Sequence, residues 1–337
     1  QLNKTNYFLY IFSLKSALRA LVRLSKVVME YLLIELATRT TVLVWTETIL
    51  FAVINVLAFF GNLLTCYAVY RNYRLRTPPN MFVVALAVSD ILMSTCCMPF
   101  TVTTLFIGRW EFGETICHLQ GFGAYTFAIV SLCTMGIIAV SRYFCIVKPG
   151  KYQALFTKRK ILIYIIIVWC AALPGSAPPF FIEDGRYKFH AGEAICLSRD
   201  NITFLSLTYC VYIITPFTVI AVCYIKVCRA VSRSNRVFPQ KNSLLNCRVN
   251  VKEAKVTKTL IAILFAFSCC WLPVYVMNFV QIHHGEYSLR RQWYLAVGFL
   301  LYLSSSINPF IYGIINRQFR RECKSIVRNV LCLKKSK

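Results

Sequence analysis

Asp90 is the one carboxylate deep inside any of the long uncharged stretches of this 337-residue chain. In hydrocarbon an isolated carboxylate either takes up a proton or finds a cation, because its charged form has lost the water that stabilised it. Ser131, Ser304 and Asn308 are neutral oxygen donors in other such stretches, so together with Asp90 they could hold a sodium ion. A protonated Asp90 bonded to its neighbours, with no ion, accounts for the same residues. Asn62 and Ser305 complete this polar inventory. A second isolated charge, Arg142, ends a run from Thr115 to Ser141 that contains no other Asp, Glu, Lys or Arg. Read from the residue alone, its guanidinium is a group reaching back to the lipid interface. No G-x-S-x-G, H-E-x-x-H or P-loop pattern occurs, so no catalytic residue is assigned and an enzyme is not expected.

These residues are carried by membrane-length elements. The chain is 58% hydrophobic and 15% charged, far from the balance of a soluble domain. Seven stretches are long enough to cross a bilayer as helices, at about 46–70, 80–107, 115–147, 161–182, 202–228, 256–282 and 292–315. The fold class expected is an all-α membrane protein, a seven-helix bundle over 46–315. The segments after spans 1, 3, 5 and 7 carry 25 Lys and Arg, whereas the other three loops carry six. Cytoplasmic loops keep the basic excess, so the N-terminus is placed outside the cell in a multi-pass plasma-membrane protein. The net charge of +25 is therefore a topology signal plus attraction to anionic inner-leaflet lipid, and nucleic acid is not an expected partner. Two glycosylation sequons, at Asn3 and Asn201, fall on the outer side. Residues 1–45 mix apolar content with Lys15, Arg19, Arg23 and Lys26 at near-helical spacing. They read as an amphipathic surface helix, a processed targeting segment or an artefactual gene start, the last favoured by the lack of an initiating Met.

Most of the sixteen cysteines lie inside apolar spans, where cysteine behaves as a small hydrophobe. Cys117 and Cys196 stand apart on the oxidising side, where a bridge is open to them. Pro99, Pro174, Pro216, Pro273 and Pro309 interrupt five spans, each freeing a backbone carbonyl and permitting a kink. Residues 316–337 form a cytoplasmic tail whose first part alternates apolar and basic residues at helical spacing, an amphipathic helix on the inner leaflet. Cys323 and Cys332 within it are palmitoylation candidates.

Taken as a set, GNLL at 61–64, LAVSD at 86–90, Trp169, Pro216, Tyr224, CWLP at 270–273 and NPFIY at 308–312 resemble the rhodopsin-like (class A) G-protein-coupled receptors in order and spacing. The resemblance runs from about residue 46 to 332. It implies a receptor that binds an extracellular ligand and activates a heterotrimeric G protein. It implies a Cys117–Cys196 disulfide, a toggle role for Trp271, and a sodium site at Asp90, Ser131, Ser304 and Asn308. It makes Arg142, with Tyr143, the arginine and tyrosine of the Asp-Arg-Tyr motif, and Tyr224 and Tyr312 the tyrosines that swing towards the arginine on activation. Glu253 occupies the place of the restraining acid on span 6, whereas Ser141 replaces the acid that normally precedes the arginine. With that carboxylate absent, slightly raised basal activity is expected.

Ala124 stands where amine receptors carry an aspartate, and Tyr302 where opsins carry the retinal lysine. A biogenic amine and covalent retinal are therefore not expected, and no cofactor is assigned beyond the allosteric sodium ion. The pocket candidates Ala124, Tyr125, Ala128, Tyr209, Tyr212, Trp271, Tyr275, Asn278 and Tyr302 are mostly aromatic, which suits a small neutral aromatic ligand. The stretch from Gly61 to Asp90 is, within the class, most similar to melatonin receptors, which implies a melatonin-like ligand and coupling to inhibitory G proteins. NPFIY in place of their NAxxY, and Tyr212 in place of their span-5 histidine, depart from that subgroup. A receptor for a peptide or lipid is the alternative.

Overall fold

The computed structural model describes residues 27–182, 186–198, 202–237, 262, 265–277, 280 and 289–333. A helix at residues 27–37 (α1) precedes α2 (Thr41–Arg71), α3 (Pro78–Cys96), α4 (Met98–Ile107) and α5 (Gly113–Val147). A short α6 (Pro149–Leu155) leads to α7 (Lys158–Ser176), followed by the hairpin β1 (Lys188–His190) and β2 (Ile195–Leu197). Next come α8 (Ile202–Tyr209), a π-helical turn (Cys210–Ile214), α9 (Thr215–Val237), α10 (Phe265–Met277), α11 (Arg291–Ile315) and α12 (Arg317–Leu333). Span 1 is α2, span 2 is α3 with α4, span 3 is α5 and span 4 is α7. Span 5 runs from α8 through α9, span 6 contains α10, and span 7 is α11. Among the described residues, six of these are long and apolar enough to cross a membrane, and α10 covers the shorter apolar stretch Phe265–Met277. The fold is an all-α seven-span bundle with an amphipathic C-terminal helix.

Local chemistry sets the ends and bends of these helices. The Thr40 and Thr157 hydroxyls accept from the amides of Leu43 and Lys160, capping α2 and α7. Span 2 breaks at Cys97, where Pro99 opens α4. Gly108 ends α4 in the left-handed region, at φ 86°, which glycine adopts without strain. The π turn lies just before Pro216, and its Cys210 carbonyl accepts from the Thr215 hydroxyl at 3.0 Å. Asn316 turns the chain from α11 into α12, its side chain accepting from the amides of Gln318 and Phe319.

The interior divides into three apolar clusters. One, at the Arg142 end, joins Leu86, Met135, Tyr224, Phe267, Trp271, Tyr312 and Phe319. A second, at the disulfide end, joins α1 and the loop hairpin to α2, α3, α4, α5 and α11. The third lies between α5 and α7. The expected C-terminal helix is held at its start: Asn72 donates to Glu322 at 3.0 Å, and Phe319 stacks 5.8 Å from Tyr312.

Candidate functional site

At the disulfide end, Cys117 on α5 is bonded to Cys196 on β2, with Cα atoms 5.4 Å apart. The bridge has help. Gln120, one turn further along α5 and fully buried, accepts from the Cys196 amide at 3.0 Å and donates to the Cys97 carbonyl and the Thr101 hydroxyl, each at 3.1 Å. Thr101 in turn lies 3.0 Å from the Tyr302 hydroxyl, so a hydrogen-bonded chain runs from the hairpin through α5 and α4 to α11. Tyr187 enters beside Gly121, where a Cβ would collide with its ring, and donates to the Ser176 carbonyl at 2.7 Å. The hairpin turn is buried too, with Gly192 under the Tyr294 ring. The result is a lid seated on the bundle.

Below the lid the pocket candidates separate. Ala124 and Tyr302 belong to the disulfide-end cluster. Tyr125 donates to the Ser198 carbonyl at 3.2 Å and meets Tyr187 at 5.7 Å between centroids, so it faces the hairpin. Trp271 stacks on Phe267 at 5.4 Å and meets Tyr275 at 5.7 Å, and Tyr275 meets Tyr209 at 6.2 Å and Phe217 at 5.6 Å. Ala128 packs against this aromatic group. The Trp271 Nε1 and the Tyr275 hydroxyl are buried and have no hydrogen-bond partner among the described residues. Tyr212, expected in the pocket, packs instead with Ile129, Val168 and Trp169 between α5 and α7. The π turn shifts the phase of span 5 and sets its direction. Asn278 lies outside the described residues. Separately, an open cavity of about 760 Å³ lies outside the lid, lined in part by Trp110, Glu111, Glu114, Arg186, Lys188 and Phe189.

Midway down the bundle, Asp90 is 1% exposed and accepts from the Asn308 amide at 2.9 Å. Ser305 also lies within reach of its carboxylate. The other two oxygen donors go elsewhere: Ser131 pairs with Ser89 at 3.1 Å, and Ser304 donates to the Leu301 carbonyl of its own helix. Asn308 Oδ1 is buried and has no hydrogen-bond partner among the described residues. That orphaned acceptor beside a carboxylate suits a hard cation, so Asp90 and Asn308 fit a sodium ion, and the Ser131 and Ser304 hydroxyl oxygens keep lone pairs for one. Asn62 ties α2 to α11 by donating to the Ser305 carbonyl at 2.9 Å.

At the far end Arg142 is 1% exposed, so it does not reach out to a lipid interface. Its guanidinium faces the Tyr152 hydroxyl of α6 at 3.5 Å and lies within electrostatic range of Tyr224. Tyr312 is near both Tyr224 and Asp90, and its buried hydroxyl has no partner among the described residues. The carboxylate site and the arginine are thus linked through two tyrosines. Ser141 is buried with its hydroxyl likewise unpartnered, and Tyr143 lies under the Lys148 and Lys226 ammonium groups at 6.0 and 5.6 Å. Glu253, Asn3 and Asn201 lie outside the described residues, as does the side chain of Cys332. Cys323 is half-buried, and burial with the neighbouring Glu322 pushes its thiol pKa up, which lowers its reactivity.

Gln120, Thr101, Ser89 and the group Arg39, Glu47 and Arg291 escape a reading of the sequence. A lone amide in span 3 is a weak signal for Gln120, and nothing local links Glu47 to an arginine 244 residues away.

Residues 61–312 match the profile of the family described as 7 transmembrane receptor (rhodopsin family). Melatonin receptor type 1B-B of Danio rerio is 27% identical over 292 residues, covering 85% of this chain and 83% of that protein. Neuropeptide FF receptor 1 of Homo sapiens is 28% identical over 303 residues, covering 84% and 70%. Octopamine receptor beta-1R of Drosophila melanogaster is 27% identical over 321 residues, covering 86% and 62%. Relatives named for an indole, a peptide and an amine thus match at nearly equal identity.

Proposed function

The chain belongs to the rhodopsin family of seven-transmembrane receptors, and from that premise we propose that it binds a small, neutral, aromatic, melatonin-like ligand and activates an inhibitory-class G protein. As a member of the family it is a membrane receptor, not an enzyme. In this reading the disulfide end faces the outside of the cell with the N-terminus, the Arg142 end faces the cytoplasm, and the site is the plasma membrane. The observation that carries the ligand class is the pair of buried orphan donors, Trp271 Nε1 and the Tyr275 hydroxyl, inside a cluster of aromatic rings. Such a site favours an aromatic body with one or two acceptors and, among the described residues of that aromatic cluster, offers no carboxylate to a cation. Ala124 in the position of the amine-binding aspartate argues the same way.

A ligand seated against Trp271 would act on the cluster that also holds Tyr224 and Tyr312, and through them on Arg142. A sodium ion held by Asp90 and Asn308 would supply a positive charge that stabilises one arrangement of α3 and α11. A peptide is the second reading, favoured by the charged outer cavity and by the neuropeptide FF relative.

The test is G-protein activation in cells expressing the chain, with and without melatonin, with Arg142→Ala as control. A melatonin response in the wild type, absent from Arg142→Ala, supports the reading. No response alongside basal signalling above the control discards melatonin and retains the receptor.

A further inference from the structure

The end of the bundle that carries the disulfide is also covered by α1, a segment outside the stretch matched to the family. Its Leu32 and Leu36 are 1% and 0% exposed and share one cluster with Phe51, Met98, Ala124 and Tyr302. The join is ionic as well as apolar. Arg39 donates from Nε to the Leu36 carbonyl at 2.7 Å, and its two other nitrogens bind the Leu105 carbonyl and Glu47. Glu47, in the second turn of α2, is also gripped by both terminal nitrogens of Arg291, at the start of α11. Glu35 of α1 adds a carboxylate 3.8 Å from Arg291 and accepts from Gln292 at 3.3 Å. Two arginines and two carboxylates thus balance, with Arg39, Glu47 and Arg291 buried and Glu35 at the partly exposed edge; Arg39 joins α1, α2 and α4 and Arg291 joins α11. Buried charges of this kind persist only when each is paired. Gly108, at the end of α4, lies against the helix: a Cβ there would be in ordinary contact with the Leu36 carbonyl oxygen at 3.4 Å.

We propose that α1 is a resident cap, locked by Arg39, that closes the mouth between α2, α4 and α11 and limits the pocket to compact ligands. With the hairpin covering the α5 side, the cap fills the space into which an extended ligand would project from Ala124 and Tyr302. Arg39 is a positioning residue: it touches no ligand and acts by holding Leu32 and Leu36 in place. The inference rests on the proposed sidedness and small-ligand reading, and it is tested without any ligand.

Cys97 reports whether the cap is shut. It is fully buried in the same cluster as Leu32 and Leu36. Intact cells expressing the full chain in a Cys96→Ser background are treated with a small, charged, membrane-impermeant methanethiosulfonate, and labelling of Cys97 is followed by peptide mapping. Arg39→Ala leaves Glu47 paired with Arg291, and Leu36→Ala loosens the apolar contact without touching a charge. Both variants are expected to label at least about tenfold faster than the parent, as a local opening would allow, with Arg39→Lys between. A bulky polymer-linked maleimide should remain excluded from the parent and label Arg39→Ala. Unchanged protection in both variants, at surface levels equal to the parent, overturns the cap. Val42→Cys, at a position 77% exposed beside the cap, is the reference: if it too stays unlabelled, the assumed sidedness has failed. A melatonin-negative result under the earlier test leaves this readout untouched.

Discussion

Both polar ends of the Gln120 amide are engaged where water cannot replace a lost partner. Gln120→Leu would strand the Cys196 amide and the Cys97 carbonyl, at a cost of about 1–3 kcal/mol for each group left unpaired. The melting temperature of the purified receptor should fall clearly below that of Tyr302→Phe, which removes only the contact to Thr101. Equal falls would reduce Gln120 to an ordinary buried side chain. At the opposite end Ser141 is buried one residue before Arg142 with an idle hydroxyl. Ser141→Asp should supply the missing acid and lower agonist-free signalling by about fivefold or less, the scale of one weak charge pair. Unchanged signalling at matched surface expression would mean that Arg142 is held by other groups. Asp90→Asn should remove any effect of exchanging sodium for choline on agonist affinity, and a persistent effect would place the cation elsewhere.

Helix contacts decide which substitutions the bundle tolerates. A Cβ at Gly61 of α2 would lie 2.9 Å from Pro309 of α11, against a ring that cannot rotate away. Gly61→Val is therefore expected to cost about 1–3 kcal/mol by overpacking; normal surface expression with an unchanged melting temperature would contradict that. The elements themselves were legible in the sequence because each span is a long apolar run with few charges, closed by Pro, Thr, Gly or a basic residue. The kink at Cys97 follows from Pro99, and the turn at Asn316 sits where the apolar run ends. The π turn at Cys210–Ile214 was not legible, since one extra residue in a turn leaves no mark on composition. Tyr212 lies within that turn and sits among Ile129 and Trp169. The candidate site divides in the same way. Asp90, Asn308, Arg142, Tyr224 and Tyr312 stand out as polar residues in apolar surroundings, and the fold sets them in a chain of neighbours from Asn308 to Arg142. Ser131 and Ser304 have the right chemistry, and their hydroxyls hydrogen-bond to Ser89 and to the Leu301 carbonyl.

For the whole molecule, charge and covalent constraint are segregated to opposite ends. The disulfide, the hairpin and α1 gather at one end, and α6, α12 and most of the described basic residues at the other. An epitope placed after Lys337 is expected to bind antibody only in permeabilised cells, whereas one placed before Gln1 should bind in intact cells. The reverse pattern would invert every inside and outside assignment made above. Pairings between distant stretches are what sequence cannot disclose: Glu47 with Arg291, Asn72 with Glu322 and Gln120 with Cys196 each depend on the assembled bundle.

The helix α1 has a second apolar side. While Leu32 and Leu36 face the protein, Val27, Tyr31 and Ile34 are each 61% exposed, and the Trp45–Phe106 ring pair lies exposed close by. Aromatic and aliphatic groups at that level of a spanning bundle settle among lipid headgroups. In the proposed orientation the lipids of that leaflet would form the second wall that the helix rests on, and thickness, sterol content and lateral pressure would become inputs to how readily the proposed cap opens. In nanodiscs of increasing acyl length, a receptor built this way would change its ligand association rate even though no residue of the pocket had changed.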